Sequence, residues 1–349
     1  MTTGNAGTYS KTPPDELLER CFEEPLNELE PLFADARRIA NVRRPNVLHC
    51  YVPGMVHYDT PFFKSTPQCF PGISVTGKDC QLHCKHCRGK LLERMTPATT
   101  PQALYQACAE IKRAGGVGCL VSGGSLKDGS VPLLDFIPTI KRIKHELDLK
   151  VVVHTGLVYP SIAEALIDAG IDAAMFDVIG AEETAKEVYH LDCNIDAFEE
   201  SVSLLEDRNI PVVPHIVVGL HYGKLKGERQ ALTMIARHRP TAVVVVAFMP
   251  LDQTPMQGTV PSSPADIARV VLACRLLMPS TPLLLGCARP SGMHKIETDI
   301  LALKAGVDGI AYPSEDACSF AQDLGLSIKF HQQCCSLLWQ EAQSQVRGN

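Results

Sequence analysis

Eight short runs of β-branched or apolar residues, separated by amphipathic stretches, constrain this 349-residue chain more than any other feature. They lie at 73–76 (ISVT), 118–122 (GCLVS), 150–155 (KVVVHT), 173–177 (AAMFD), 212–218 (VVPHIVV), 242–248 (AVVVVAF), 282–286 (PLLLG) and 309–312 (GIAY). Runs that are nearly all apolar, rather than alternating, belong to strands covered on both faces, as in a parallel sheet flanked by helices. The stretches between them, such as 102–113 (QALYQACAEIKR) and 161–168 (SIAEALID), space their apolar residues at the helical period. A handover motif recurs as KRAGGVGCLV at 112–121, IDAGIDAAMF at 167–176 and LKAGVDGIAY at 303–312. The glycine of each Ala-Gly pair suits the left-handed position that ends a helix, and the next apolar residues open a strand.

Eight such units predict an α/β fold, a (β/α)8 TIM-type barrel rather than an open doubly wound sheet, with the chemistry gathered in the loops after the strands. The segments divide as a helical extension over 1–45, the barrel over 46–331 and a short tail over 332–349 that carries Cys334-Cys335. Residues 14–40 mix apolar and acidic positions at helical spacing, and residues 52–71, rich in Pro, Gly, Tyr and Phe, read as a structured loop.

Lys plus Arg is 33 against 39 for Asp plus Glu, a net charge of −6. That balance argues against nucleic acid as a partner, because a phosphate-backbone binder needs a basic stripe. No apolar run approaches the ~18 residues of a membrane span, and Met1 to Lys11 has no apolar signal segment. Fourteen cysteines in such a chain point to metal binding rather than a disulfide scaffold, and to the cytoplasm.

Three of them form Cys80-x3-Cys84-x2-Cys87, directly after the first barrel strand. Three thiolates at this spacing hold three irons of a [4Fe–4S] cube and leave the fourth open to a ligand. Lys78, Lys85, Arg88 and Lys90 favour the thiolates, with Asp79 offsetting part of that charge. A zinc site drawing on His83 and His86 is the competing reading. The motif and its position resemble the radical S-adenosylmethionine (SAM) enzymes, with His86 where an aromatic residue usually precedes the last cysteine. The resemblance implies that SAM chelates the open iron and that one electron cleaves it to methionine and a 5′-deoxyadenosyl radical, which abstracts a substrate hydrogen.

It also implies SAM contacts from Ser122, Gly123 and Gly124, although Ser125 stands where the family commonly has Glu. His154, Asp177 and His215 are polar groups on apolar barrel strands and so need partners at the mouth. The resemblance implies SAM ribose or substrate as those partners, and neighbouring protein groups are the alternative. Residues 217–223 (VVGLHYG) resemble a segment that packs on adenine.

A second group is expected from Cys287, in GCARP at the end of the seventh strand, and from Cys334-Cys335. A strand-like run at 326–330 returns the chain to the active face, which brings the three together as ligands of an auxiliary [4Fe–4S] cluster. Cys50, Cys69, Cys318, a serine, Arg289 or a small molecule would complete it, and a zinc site or free thiols are the alternatives. Cys108, Cys119, Cys193 and Cys274 read as small apolar residues.

Within the radical SAM enzymes that the chain resembles, a full barrel with an auxiliary cluster suggests sulfur insertion, as in biotin and lipoyl synthases. Over roughly residues 46–338 the chain looks most like one subunit of the split, two-protein lipoyl synthases, which are biotin-synthase-like. This implies a protein-bound octanoyl chain as substrate, sulfurated at C8 or C6, a second synthase subunit and an electron donor such as ferredoxin. Tyr51, Tyr58, Phe62 and Phe63 would line the entrance or pack beneath it. A radical SAM enzyme without sulfur insertion (methylornithine-synthase-like or a mutase) and a non-enzymatic iron–sulfur carrier are the rival classes.

Overall fold

The computed structural model describes residues 13–43 and 46–340. The polar segment before residue 13 and the end of the tail after residue 340 lie outside the described residues.

All eight expected strands form, as β2 (Gly72–Ser74), β4 (Gly118–Ser122), β5 (Lys150–His154), β6 (Ala173–Asp177), β7 (Val212–Val218), β8 (Val243–Ala247), β9 (Leu283–Leu285) and β10 (Gly309–Ala311). Three more join them: β1 (Val47–Tyr51), β3 (Thr96–Pro97) and β11 (Ser327–His331). Every pairing is parallel, in the order β11-β1-β10-β9-β8-β7-β6-β5-β4-β2-β3. The sheet curls as a barrel does, but among the described residues β3 and β11 are its two edges and no ladder joins them. The fold is thus a barrel of the predicted strand order, open along one side. β1 inserts beside β10 and carries β11 at that open edge.

Helices α3 (Pro101–Arg113), α4 (Ile137–Arg142), α5 (Pro160–Ala169), α6 (Glu182–Glu187), α7 (Asp196–Glu206), α8 (Glu228–Ala236), α9 (Pro264–Leu277), α10 (Met293–Lys304) and α11 (Glu315–Asp323) connect the strands. The handover motif behaves as expected: Gly115, Gly170 and Gly306 have φ of 80°, 64° and 83°, a region that a Cβ disfavours. The aspartates that follow close the lower end of the sheet. Asp172 accepts from the amide of Val151, and Asp308 from that of Leu283, each on the neighbouring strand. The extension is helical, with α1 (Pro14–Glu23) and α2 (Glu30–Arg43) packed on α9. Among the described residues no helix is long and apolar enough to cross a membrane.

Two apolar clusters divide the interior. Odd-numbered β5 residues Val151 and Val153 face the helices with Ala174, Phe176, Val212, Val243, Val245 and Ile310. Val152, Ala173, Met175, Val213, Val244, Leu284 and Ala311 face the lumen. The period of two along each strand fixes this division.

Candidate active site

The same alternation places the polar strand residues. His154 follows Val152, Asp177 follows Ala173 and Met175, and His215 follows Val213, so each shares the inward face of its strand near the mouth. They meet there. His154 Nε2 is 3.8 Å from Asp177 Oδ1, the rings of His154 and His215 are 6.0 Å apart, and Asp177 and His215 are register partners. Tyr189, in the loop after α6, donates from its hydroxyl to Asp177 Oδ2 at 2.7 Å. Burial opposes ionisation of Asp177, but the His154 contact, the charges of both histidines and the Tyr189 hydroxyl hold its carboxyl below the usual range. Burial pushes His215 down to about 4, with Asp177 pulling the other way and His154 adding repulsion. These groups partner one another, and Asp177 stays an anion in the lumen.

Cys80, Cys84 and Cys87 lie in the loop after β2, above this cluster. Cys84 Sγ is 3.5 Å from the carbonyl of Tyr189, and Cys80 Sγ is 3.9 Å from that of Ser125. Cys84 and Cys87 share a proton: the Cys84 thiol brings Cys87 down to about 4, while Cys87 and burial raise Cys84. His86 stacks at 5.0 Å on Tyr189, and burial opposes its protonation, yet the Cys87 thiolate beside it raises its pKa. Its buried Nδ1 has no hydrogen-bond partner among the described residues. Two thiols sharing one proton, a third on the same loop and an orphaned imidazole nitrogen beside them form a donor set suited to an iron–sulfur group. Among the described residues no three His, Cys, Asp or Glu side chains converge on one point as a single ion requires.

Ser122, Gly123 and Gly124 end β4 beneath that loop. The Ser122 hydroxyl donates to the carbonyl of His154 at 3.3 Å, and the amide of Gly124 donates to Thr76 Oγ1 at 2.7 Å. A Cβ on Gly124 would lie 2.0 Å from the Asp79 carbonyl oxygen and 2.6 Å from Cys80 Cα. The glycine therefore lets the cysteine loop sit directly on the strand end, a role that spacing alone did not reveal.

Cys287 follows β9 and Cys334-Cys335 follow β11, and the structure brings the three into electrostatic reach of one another. Cys287 keeps a flank open to water, but protein crowds it elsewhere; desolvation raises its thiol and the charge of Cys334 adds to that. Cys335 hands its proton preference to Cys334: the Cys335 contact brings Cys334 down to about 7 against burial, and Cys335 rises. The Ser336 hydroxyl donates to Cys334 Sγ at 3.0 Å.

The suggested completing ligands mostly lie elsewhere. Cys50 is on the outward face of β1, with its thiol against Cys318 of α11. Cys69 is at the lower end, where its carbonyl accepts from Val117 before β4 begins. The Arg289 guanidinium is consumed: it bonds Asp299 Oδ1 at 2.6 Å and the carbonyls of Gly286, Ala311 and Tyr312. Buried Cys108 and Cys119 face each other at 3.7 Å between α3 and β4. At the mouth, Phe63 stacks on Phe330 at 4.7 Å, Tyr51 on His331 at 4.9 Å, and the Tyr58 hydroxyl donates to the Pro313 carbonyl, so these aromatics pack the entrance.

Residues 74–225 match the model of the Radical SAM superfamily. Biotin synthase of Zymomonas mobilis subsp. mobilis is 25% identical over 218 residues, 61% of this chain and 63% of that protein. Biotin synthase of Baumannia cicadellinicola is 23% identical over 300 residues, 79% of this chain and 84% of that one. A crystal structure of methylornithine synthase superposes with a TM-score of 0.61 at 15% identity, covering 95% of this chain and 96% of that one. The FeFe-hydrogenase maturase HydG of Carboxydothermus hydrogenoformans gives 0.62 at 15% identity, over 91% and 76%. At these identities the two structures speak to the fold alone.

Proposed function

We propose that this chain, whose residues 74–225 match the radical SAM superfamily and which is similar to biotin synthases, is a radical SAM enzyme that inserts sulfur into an unactivated carbon of a protein-bound octanoyl chain in lipoyl cofactor biosynthesis. The observation that carries this reading is the presence of two separate thiol groups at one barrel mouth. Cys80, Cys84 and Cys87 lie on the loop after β2, and Cys287, Cys334 and Cys335 lie across the lumen.

On this reading the first three cysteines hold a [4Fe–4S] cluster and the second three an auxiliary one, with the Ser336 hydroxyl placed beside Cys334 to complete it. When bound, the first cluster with SAM supplies one-electron SAM cleavage and hydrogen abstraction, and the second supplies sulfur. Asp177, kept ionised by His154, His215 and Tyr189, orients the polar half of SAM through hydrogen bonds. Gly124 lets the cysteine loop close onto β4, and Ser122 ties that strand end to His154. Leu120, Val217, Val246 and Ala288 give the upper lumen apolar walls suited to an aliphatic chain. A water-poor chamber keeps a radical from side reactions.

The partners on this reading are an octanoylated carrier protein, a second synthase subunit and a donor such as ferredoxin, with neither nucleic acid nor membrane involved. We place the enzyme in the cytoplasm, where its cysteines stay reduced. The test is anaerobic incubation of reconstituted protein, SAM, reductant and the second subunit with an octanoyl-lysyl peptide. A mass gain of one or two sulfur atoms supports the proposal, and an unchanged peptide mass alongside SAM cleavage overturns the substrate.

A further inference from the structure

Strand residues, mostly valine and alanine with Met175 and Leu284 among them, share the lumen of this barrel with residues of the tail. Val152, Ala173, Val213, Val244 and Ala311 face inward, and in the same cluster stand Leu337 and Leu338 of the tail, 0% and 3% exposed. In a closed barrel, layers of side chains from the strands alone occupy that space. The short turn Cys335–Leu337 touches both β6 and β10, which stand four places apart in the sheet, so it lies between them inside the curl.

The tail also has a direction. At its upper end Cys334 follows β11, which ends at His331 beside Tyr51 at the mouth. At its lower end the Gln340 side-chain amide donates to Asp172 Oδ1, immediately before β6 begins. Asp172 to Asp177 is about 16 Å at a strand's rise, and the steps from Cys334 to Gln340 at about 2 Å each cover most of that depth. The chain leaves β11 at the mouth and runs down through the barrel to its floor.

We propose that Leu337, Leu338 and the Gln340–Asp172 hydrogen bond are positioning residues that seat the tail as a plug in the lumen. The plug holds Cys334 and Cys335 as the floor of the chamber beneath the Cys80–Cys84–Cys87 loop. Substrate then enters from the mouth alone and extends no deeper than this cysteine pair. The inference deepens the reading of a second cluster, and rests on it only for what the thiols hold.

The chain supplies its own reporter, since Trp339 is its one tryptophan and follows directly on the two leucines. The variant L337S/L338S is compared with the full natural chain, both metal-free. Alkylation of Cys334 and Cys335, followed by peptide mass mapping, is expected to speed up about tenfold as the local opening cost falls. Alkylation of Cys80, Cys84 and Cys87 should keep its rate, and Trp339 emission should shift to the red. Leu337→Met, which preserves volume, should restore both readouts. If L337S/L338S does not fold, Leu338→Ala alone gives the same comparison with a smaller change.

Unchanged alkylation of the pair together with unchanged emission overturns the plug. Equal acceleration at all five cysteines overturns it too, because that marks general loosening. The second-cluster reading fails separately, if Cys287→Ala/Cys334→Ala/Cys335→Ala leaves iron content unaltered.

Discussion

The Tyr189 hydroxyl donates to Asp177 Oδ2 at 2.7 Å, joining the loop that stacks on His86 to the strand end that faces the lumen. Through this bond the cysteine loop and the lumen anion are one unit. Tyr189→Phe removes a charge-assisted hydrogen bond from a carboxylate in a desolvated site. The expected loss is about 1–2 kcal/mol in urea denaturation, with SAM binding about tenfold weaker by titration calorimetry. An unchanged SAM affinity would separate Asp177 from the SAM site.

His215 sets an acid limit on stability. Its pKa falls from 6.5 in the unfolded chain to about 4 in the folded one, so between those values only the unfolded chain takes up the proton. Stability is therefore full above about pH 6.5 and declines as pH falls toward 4. Allowing for the partial exposure of the ring, the loss is about 2 kcal/mol. His215→Gln should flatten that slope in urea midpoints of the metal-free protein between pH 7 and 4.5. An unaltered slope would remove His215 as its source.

Arg289 is a clamp. Its side chain and that of Asp299 are 1% and 0% exposed, and it ties the ends of β9 and β10 together beside Cys287. Arg289→Ala leaves Asp299 buried and short of its partner, which should cost about 3–5 kcal/mol. Iron content per folded chain should stay the same. Normal stability with lost iron would instead make Arg289 a ligand.

The two thiol groups should separate by iron count. Reconstituted protein should carry about eight irons, and Cys80→Ala/Cys84→Ala/Cys87→Ala or Cys287→Ala/Cys334→Ala/Cys335→Ala about four each. SAM cleavage should vanish in the first variant and persist in the second. About four irons in the natural chain would leave one cluster.

Much of this is legible in the sequence. The strands announce themselves because doubly covered strands must be apolar throughout, and the Ala-Gly handovers because few residues other than glycine take φ near 64–83° without strain. The Cys80–Cys84–Cys87 motif is local, so spacing alone carries it. β1 was not legible: His49 and Cys50 interrupt its apolar character, and its place between β10 and β11 is a tertiary fact. The loop position of Tyr189 has no periodicity to single it out. Arg289 resembled a candidate ligand in sequence, and only its four protein partners show that its guanidinium is already committed. The apolar Leu337-Leu338-Trp339 hinted at burial of the tail, but not that the burial would be inside the barrel.

The central claim, hydrogen abstraction from an aliphatic chain followed by sulfur insertion, is tested most directly by isotope transfer. Reduced, reconstituted protein is given SAM and an octanoyl-lysyl peptide deuterated along the acyl chain, and the 5′-deoxyadenosine formed is weighed. The account predicts deuterium in that product in step with sulfur appearing on the peptide. Deuterium-free 5′-deoxyadenosine, formed at full rate with the peptide present, would contradict it.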